Sequence, residues 1–410
     1  MEARKLDTMP ACVLLQKSER RWSHHLREKL RLSYQVIDLE AFPIIRRRGY
    51  GGLAHKVNEI IESESVEIIF ISVDYFYGID QEFIVQIPSS VQKVLVTFDD
   101  ISLHQFNSIT AKACDLVLTA DPISALKYKE EGISAEFFPL ESSRKIYKDL
   151  QLPKNIDVLF YGNIRLADRQ LYLDYLISNG IQVAILGEKN NFVDQEILVK
   201  NICESRIVIN FSKTGILEGD KAQQSINGYL RQLKGRIIET GLCGTLCLSE
   251  YAPGIELLYM DSEVPMFTSR EDCFALVTQL LENQSNRKKI EKKFLKTTLD
   301  RYEDTPVMKK VALALSTLAP KSSMRVDAVQ KLPLWYRRLK LRVRVQHMDN
   351  SISRQVIEIY REVVGNTKCP IIVRTILFID IIGWALYRVL LDGILKTRKC
   401  VEKIGGLVRR

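Results

Sequence analysis

"KGRIIETGLCGTLCLSE", Lys234 to Glu250, is the stretch from which the fold can be read. Lys234 to Cys243 has the composition of a short helix, Gly244 follows as its stop, and the apolar run after it has strand length. A helix that turns directly into a fully apolar strand is half of a βαβ unit, in which the strand is buried on both faces. Arg236 and Glu239 are three residues apart and share a face. As a surface ion pair they contribute roughly 0.2–0.5 kcal/mol. Alternatively, Arg236 and the free N–H groups of the first turn suit a diphosphate, with Glu239 accepting from a vicinal diol. Gly241 and Gly244 are equally open to two readings, close approach to a ligand or a left-handed helix stop.

The pattern repeats along the chain. Apolar runs at Ala11–Leu15, Tyr34–Leu39, Glu67–Val73, Lys93–Phe98, Asp115–Thr119, Asp157–Gly162, Gln182–Gly187, Arg206–Phe211 and Thr245–Ser249 alternate with longer amphipathic stretches. That alternation predicts an α/β fold with parallel sheets. At 410 residues the chain exceeds one hydrophobic core. The polar stretch 141–155, with Pro153, reads as a hinge between a first Rossmann-like domain (1–140) and a second (156–320). Residues 321–410 form a basic, helical tail.

The net charge of +9 is unevenly placed. Residues 321–410 hold 19 Lys/Arg against 7 Asp/Glu, net +12, and the remainder is net −3. A body of that charge is not built to grip nucleic acid, whereas the tail is suited to an anionic surface. Eight cysteines without a CxxC pair fit a reducing cytoplasm, and the N-terminus lacks a secretory leader pattern.

Ligands of open α/β sheets bind at strand C-termini. In "DVLFYGNIRLADRQ" the first strand of the second domain ends in a loop holding Gly162, Asn163 and Arg165, with Arg169 just beyond, and Asn210 ends "IVIN". Each has a plain reading as well: the arginines solvate an exposed helix face, and Asn210 makes a strand-end turn. Asp99 and Asp100 follow a first-domain strand and read either as a catalytic or acceptor-orienting carboxylate, with His104 as an alternative base, or as a helix N-cap pair. His24 and His25 have no third ligand in view, so no metal site is expected.

"SRIVINFS" and "KGRIIETGLCGTLCLSEYAPGIELLYMDSEVPMF" resemble the signature of the CgeB-like glycosyltransferases, a branch of the two-domain GT-B enzymes. "VLFYGNIRLADR" and "TFDDISLHQFNSITAKACDLVLTADPISALKYKEEGISAEFFPLESS" extend the similarity over most of residues 90–295. The resemblance implies two Rossmann-like domains facing across a cleft, and transfer of a sugar from a nucleotide-diphosphate donor to a glycan, lipid-linked or protein acceptor. By position it matches Glu239 to the donor-ribose carboxylate and Arg236 to the neighbouring basic residue; Lys234, Thr240, Gly241, Gly162, Asn163, Arg165, Arg169 and Asn210 complete the expected donor site, Arg165 and Arg169 facing the diphosphate where their loop closes over it. No cofactor or metal is implied, since fixed cations and a helix N-terminus can stabilise the departing diphosphate. Ile238 stands where the family has an aromatic residue, and "LDRYEDTP" departs from the family's closing motif. The alternative is a non-catalytic binding or assembly protein on the same scaffold.

In the tail, "KLPLWYRRLKLRVR" groups six basic residues around Trp335 and Tyr336. The following apolar run is interrupted by Arg374, Asp380 and Arg388. Arg374, Arg388, Asp392 and Lys396 fall on one narrow helical stripe, with Asp380 off it. A spanning helix would place two arginines and an Asp in hydrocarbon at about 2.5–3.5 kcal/mol for each central charge. The expectation is an interfacial helix in residues 331–400 on an anionic membrane, at its cytoplasmic face. A helix packed on the protein, a true span and RNA binding are the competing readings.

Overall fold

The computed structural model describes residues 9–17, 21–72, 79–140, 142–164, 168–187, 193–213, 230–318, 332–346 and 375–384. Each of the nine apolar runs forms a strand within one residue of its expected ends. The first sheet comprises β1 (Ala11–Gln16), β2 (Gln35–Glu40), β3 (Ile68–Ser72), β4 (Gln92–Thr97), β5 (Leu116–Thr119) and β6 (Ala135–Phe137), in the order β2-β1-β3-β4-β5-β6. All its pairings are parallel. Interleaved with it are α1 (Arg21–Leu30), α2 (Ala41–Ser63), α3 (Gln81–Ile84), α4 (Asp100–Ala111) and α5 (Pro122–Glu130).

The second sheet is also wholly parallel. Its strands are β7 (Ile156–Tyr161), β8 (Val183–Leu186), β9 (Ser205–Asn210), β10 (Leu246–Glu250) and β11 (Met266–Phe267), in the order β11-β10-β9-β7-β8. Its helices are α6 (Arg169–Ser178), α7 (Gln195–Glu204), α8 (Arg236–Leu242), α9 (Arg270–Glu282) and α10 (Gln284–Arg301). In both sheets the chain first builds outward on one side and then crosses to the other, which opens a crevice at the strand C-termini, between β1 and β3 and between β7 and β9.

Burial on both faces explains why these strands are legible. Ile207, Ile209 and Leu248 meet Tyr172, Leu173 and Val277 of α6 and α9 on one face. On the other, Leu159, Val208 and Cys247 meet Ile237, Leu242 and Phe294 of α8 and α10. The edge strands β2 and β8 are only partly covered. Side-chain caps set several helix starts, including Asp121 accepting from the Ser124 N–H before Pro122, and Ser269 accepting from the Asp272 N–H.

One element lies elsewhere than its sequence position indicates. Helix α11 (Asp304–Thr317) follows the second domain in the chain but packs Val307, Met308, Val311 and Leu315 on the first sheet, against Phe70, Val94 and Leu116. The stretch between the sheets is pinned as well. Ser142 accepts from Lys29 Nζ at 2.5 Å and donates to Asp304 Oδ1 at 2.8 Å, and Tyr147 is fully buried in the second core.

The part of the tail within the described residues belongs to the first domain. Helix α12 (Leu334–Gln346) packs Tyr336 on Ile109, and its Lys340 reaches Asp80 Oδ2 at 2.8 Å with both side chains buried. Arg337 pairs with Glu82 at 2.7 Å. Two ions of opposite sign withdrawn from water tolerate burial only together, so removing one leaves the other uncompensated. Lys340→Ala is therefore expected to destabilise the fold by roughly 3–5 kcal/mol, measured by denaturant unfolding.

Candidate functional site

The site lies where β7 and β9 end, at the crevice of the second sheet. After Tyr161 the chain enters a left-handed conformation at Gly162, φ +127°. A Cβ there would lie 2.7 Å from Arg236 Nη2, so glycine lets the guanidinium lie against the backbone. Helix α8 starts at this strand edge and aims Arg236 back over β7, 4.7 Å from the Tyr161 ring centroid and 5.3 Å from that of Phe160. Arg236 Nη1 donates to Asn210 Oδ1 at 3.0 Å, and Asn210 Nδ2 donates to Ser249 Oγ at 2.9 Å. The Arg236 Nε–H is buried without a hydrogen-bond acceptor.

Arg169, in the first turn of α6, comes to the same place. It is buried, with Nη1 donating to Asn163 O at 2.9 Å and Nη2 to Lys213 O at 3.4 Å. Burial, with Arg236 as a further cause, pushes its guanidinium down to about 10. Lys234 completes the group. Its amine is pushed down to about 8 by burial, held up by Asp99 and lowered further by Arg169 and Arg236. Three cations thus lie in one another's field at a partly dry strand edge, an arrangement that favours binding of an anion.

Glu239 lies one turn deeper on α8, buried to 5% exposure, and accepts from Tyr161 Oη at 2.6 Å. Burial and the neighbouring Glu239 carboxylate push the Tyr161 phenol well up, so it remains a donor. The carboxylate is held facing β7, beneath Arg236. Thr240 is fully buried one residue further along.

The first domain closes the other side. Gln232 Nε2 donates across the gap to Phe98 O at 2.8 Å, next to Asp99. Asp99 heads α4 without capping it through its side chain, and it is the leading charge partner of Lys234.

The structure separates the expected residues. Lys234, Arg236, Asn210, Gly162, Asn163 and Arg169 converge, with Glu239 beneath them and Asp99 opposite. Asp100 does not join them, because it is fully buried and accepts from Thr97 Oγ1, Thr119 Oγ1 at 2.6 Å, Asn107 Nδ2 at 2.7 Å and Tyr128 Oη at 3.0 Å. Four donors fix it as a structural anchor of α4. His104 points to α5, bonding Glu131 Oε1 at 2.7 Å with its ring 4.4 Å from that of Tyr128. Gly241 faces α10, where a Cβ would lie 2.4 Å from Thr298 Oγ1, and Gly244 is the helix stop, φ +66°. Arg165 lies outside the described residues. His25 is buried and stacks on Tyr147, and among the described residues no group of three His, Cys, Asp or Glu is placed to hold a metal.

Sequence reading missed Tyr161 and Glu250. Glu250 ends β10, accepts from the Ser212 and Lys213 N–H groups at 2.9 and 3.3 Å and pairs with Arg231 at 2.5 Å, fastening the backbone beyond β9. An acid directly after the sealed run "TLCLS" was the available signal, since burial at a strand end requires partners.

Residues 167–309 match the family model described as glycosyl transferase-like. Three solved structures align with 75% of the chain: HepE from Anabaena in complex with UDP-glucose, a sucrose-phosphate synthase from Thermosynechococcus elongatus and a glycosyltransferase from Rickettsia africae. Their identities are 13%, 9% and 10%, their TM-scores 0.50, 0.51 and 0.51, and the alignments cover 100%, 99% and 98% of those chains. The fold is GT-B. No curated protein sequence matches the chain.

Because Gly241 sets the distance between α8 and α10, Gly241→Ala overpacks that contact. It is expected to cost about 1–3 kcal/mol, seen as a lowered melting temperature.

Proposed function

We propose that the protein is a glycosyltransferase of the CgeB-like branch that binds a nucleotide-diphosphate sugar in the second-domain crevice. The observation that carries this reading is the convergence of Arg169, Lys234 and Arg236 at the ends of β7 and β9, over Gly162. A diphosphate adds negative charge where three cations converge, and the adjacent Glu239 carboxylate, which accepts from Tyr161 Oη, suits a ribose diol as a further donor. The UDP-glucose complex named for HepE supports a uridine nucleotide as the first donor to try. Departure of the nucleoside diphosphate builds negative charge on phosphate, which the three cations and the start of α8 stabilise without a metal. Asp99, across the gap, is the carboxylate placed to orient an acceptor hydroxyl, whether on a glycan, a lipid-linked sugar or a protein.

Isothermal titration with UDP tests the site. Wild-type protein is expected to bind, and Arg236→Ala to bind about 10- to 150-fold more weakly, the range for losing hydrogen bonds to a charged partner. Equal binding by the two proteins overturns the assignment. Glu239→Ala is expected to weaken UDP binding while leaving inorganic pyrophosphate binding within about twofold, because a ribose contact is absent from pyrophosphate.

Lys234 gives the site a pH dependence with a defined sign. Only the ammonium form attracts a phosphate, and in the free protein that form is lost as pH rises through about 8. Above about pH 7, where the terminal phosphate of UDP is ionised, affinity is therefore expected to fall by up to tenfold per pH unit beyond pH 8, until the pH passes the raised pKa of the bound state. Lys234→Met should remove that limb of the titration curve.

A scaffold that binds nucleotide without turnover is the second reading, and the structural roles of Asp100 and His104 favour it by leaving Asp99 as the one expected acid or base at the gap. Product analysis with UDP-sugars distinguishes it.

A further inference from the structure

Residues 375–384 are helical and lie on α12. Arg338 donates from Nε and Nη2 to Asp380 at 2.6 and 3.0 Å, and the Arg342 guanidinium stands 4.6 Å from the Trp384 ring centroid. The two pairs are four residues apart on each helix, so the helices lie side by side and run in the same direction. This fixes which face of the outer helix is covered: Leu377 and Ile381 are buried, while Phe378, Ile379 and Ile382 remain 47%, 63% and 41% exposed. Trp335, one turn before Arg338 on α12, is 44% exposed as well.

Large apolar side chains grouped on the outer face of a surface helix mark a contact surface, and three features indicate its occupant. The acid that interrupts this apolar segment, Asp380, is neutralised by a two-pronged arginine contact and so adds no negative charge to the face. The tail carries net +12, and the helix is flanked in sequence by Arg374 and Arg388. Trp335, edge-on to Phe106 at 5.4 Å and still 44% exposed, adds an aromatic side chain of the kind found at a bilayer boundary. Among the described residues no helix is long and apolar enough to cross a membrane. Arg374, Arg388, Asp392 and Lys396, and with them the predicted polar stripe, lie outside the described residues.

We infer that Phe378, Ile379 and Ile382, supplemented by Trp335 of α12, form a docking face for an anionic lipid bilayer, held to the first domain through α12. Apolar insertion and attraction to anionic headgroups act together, so the contact is sensitive to both apolar substitution and salt.

Flotation of the full chain with vesicles of phosphatidylcholine alone, or of phosphatidylcholine and phosphatidylglycerol at a ratio of about 7:3, tests it. The wild type is expected to float with the anionic vesicles at least about tenfold more than with neutral ones, and less in 0.5 M salt than at low salt. Phe378→Ser combined with Ile379→Ser and Ile382→Ser is expected to lose at least about tenfold of that binding with an unchanged melting temperature. If the triple variant melts early, Ile379→Ser alone is expected to retain the fold and still lose several-fold. The proposal is overturned by equal flotation of variant and wild type, by equal binding to neutral vesicles, or by a wild-type dimer that the triple variant turns into a monomer without a change in flotation. UDP titration of the same variants, expected to match wild type, separates failure of this face from failure of the donor site.

Discussion

Three cations at one strand edge, with little water to share, constrain the rest of the second domain. Arg169, Lys234 and Arg236 repel one another, and burial removes the solvent that would otherwise screen them. The structure holds them there by geometry: Gly162 provides the space, Asn210 and the Asn163 and Lys213 carbonyls accept from the guanidinium groups, and α8 starts at this edge because β10 must begin at the opposite one. A site assembled against its own electrostatics stores an affinity for negative charge.

The parallel sheets were readable because their strands are sealed on both faces, which requires unbroken apolar runs such as "IIFIS" and "TLCLS". The short strands β6 and β11 carry too few residues for such a run and escaped notice. Helix α11 illustrates a different limit: its apolar stripe shows that it packs on a sheet, and nothing in the stripe names which one.

At the site, residue spacing indicated Arg236 and Glu239 as a pair, yet Arg236 donates to Asn210 and Glu239 accepts from Tyr161. Contacts of that kind join positions 26 and 78 residues apart and leave no local pattern. Asp99 and Asp100 are adjacent in sequence and opposite in role, because Asp99 stands at the non-helical cap position while Asp100, the first helical residue, enters the ring of donors from Thr97, Thr119, Asn107 and Tyr128. Gly241, open in sequence to ligand approach or a helix stop, is the point where α8 packs closely on α10.

The return of α11 to the first sheet has a mechanical consequence. The polypeptide passes between the lobes twice, once before Tyr147 and once before Asp304, and Lys29 and Ser142 bring both passages to a single point. Two covalent crossings tied together in this way restrain the lobes against sliding past each other. Away from that point the lobes meet again at the mouth of the cationic crevice, where Gln232 Nε2 donates to Phe98 O and Gly254 lies against Pro122 and Ile123.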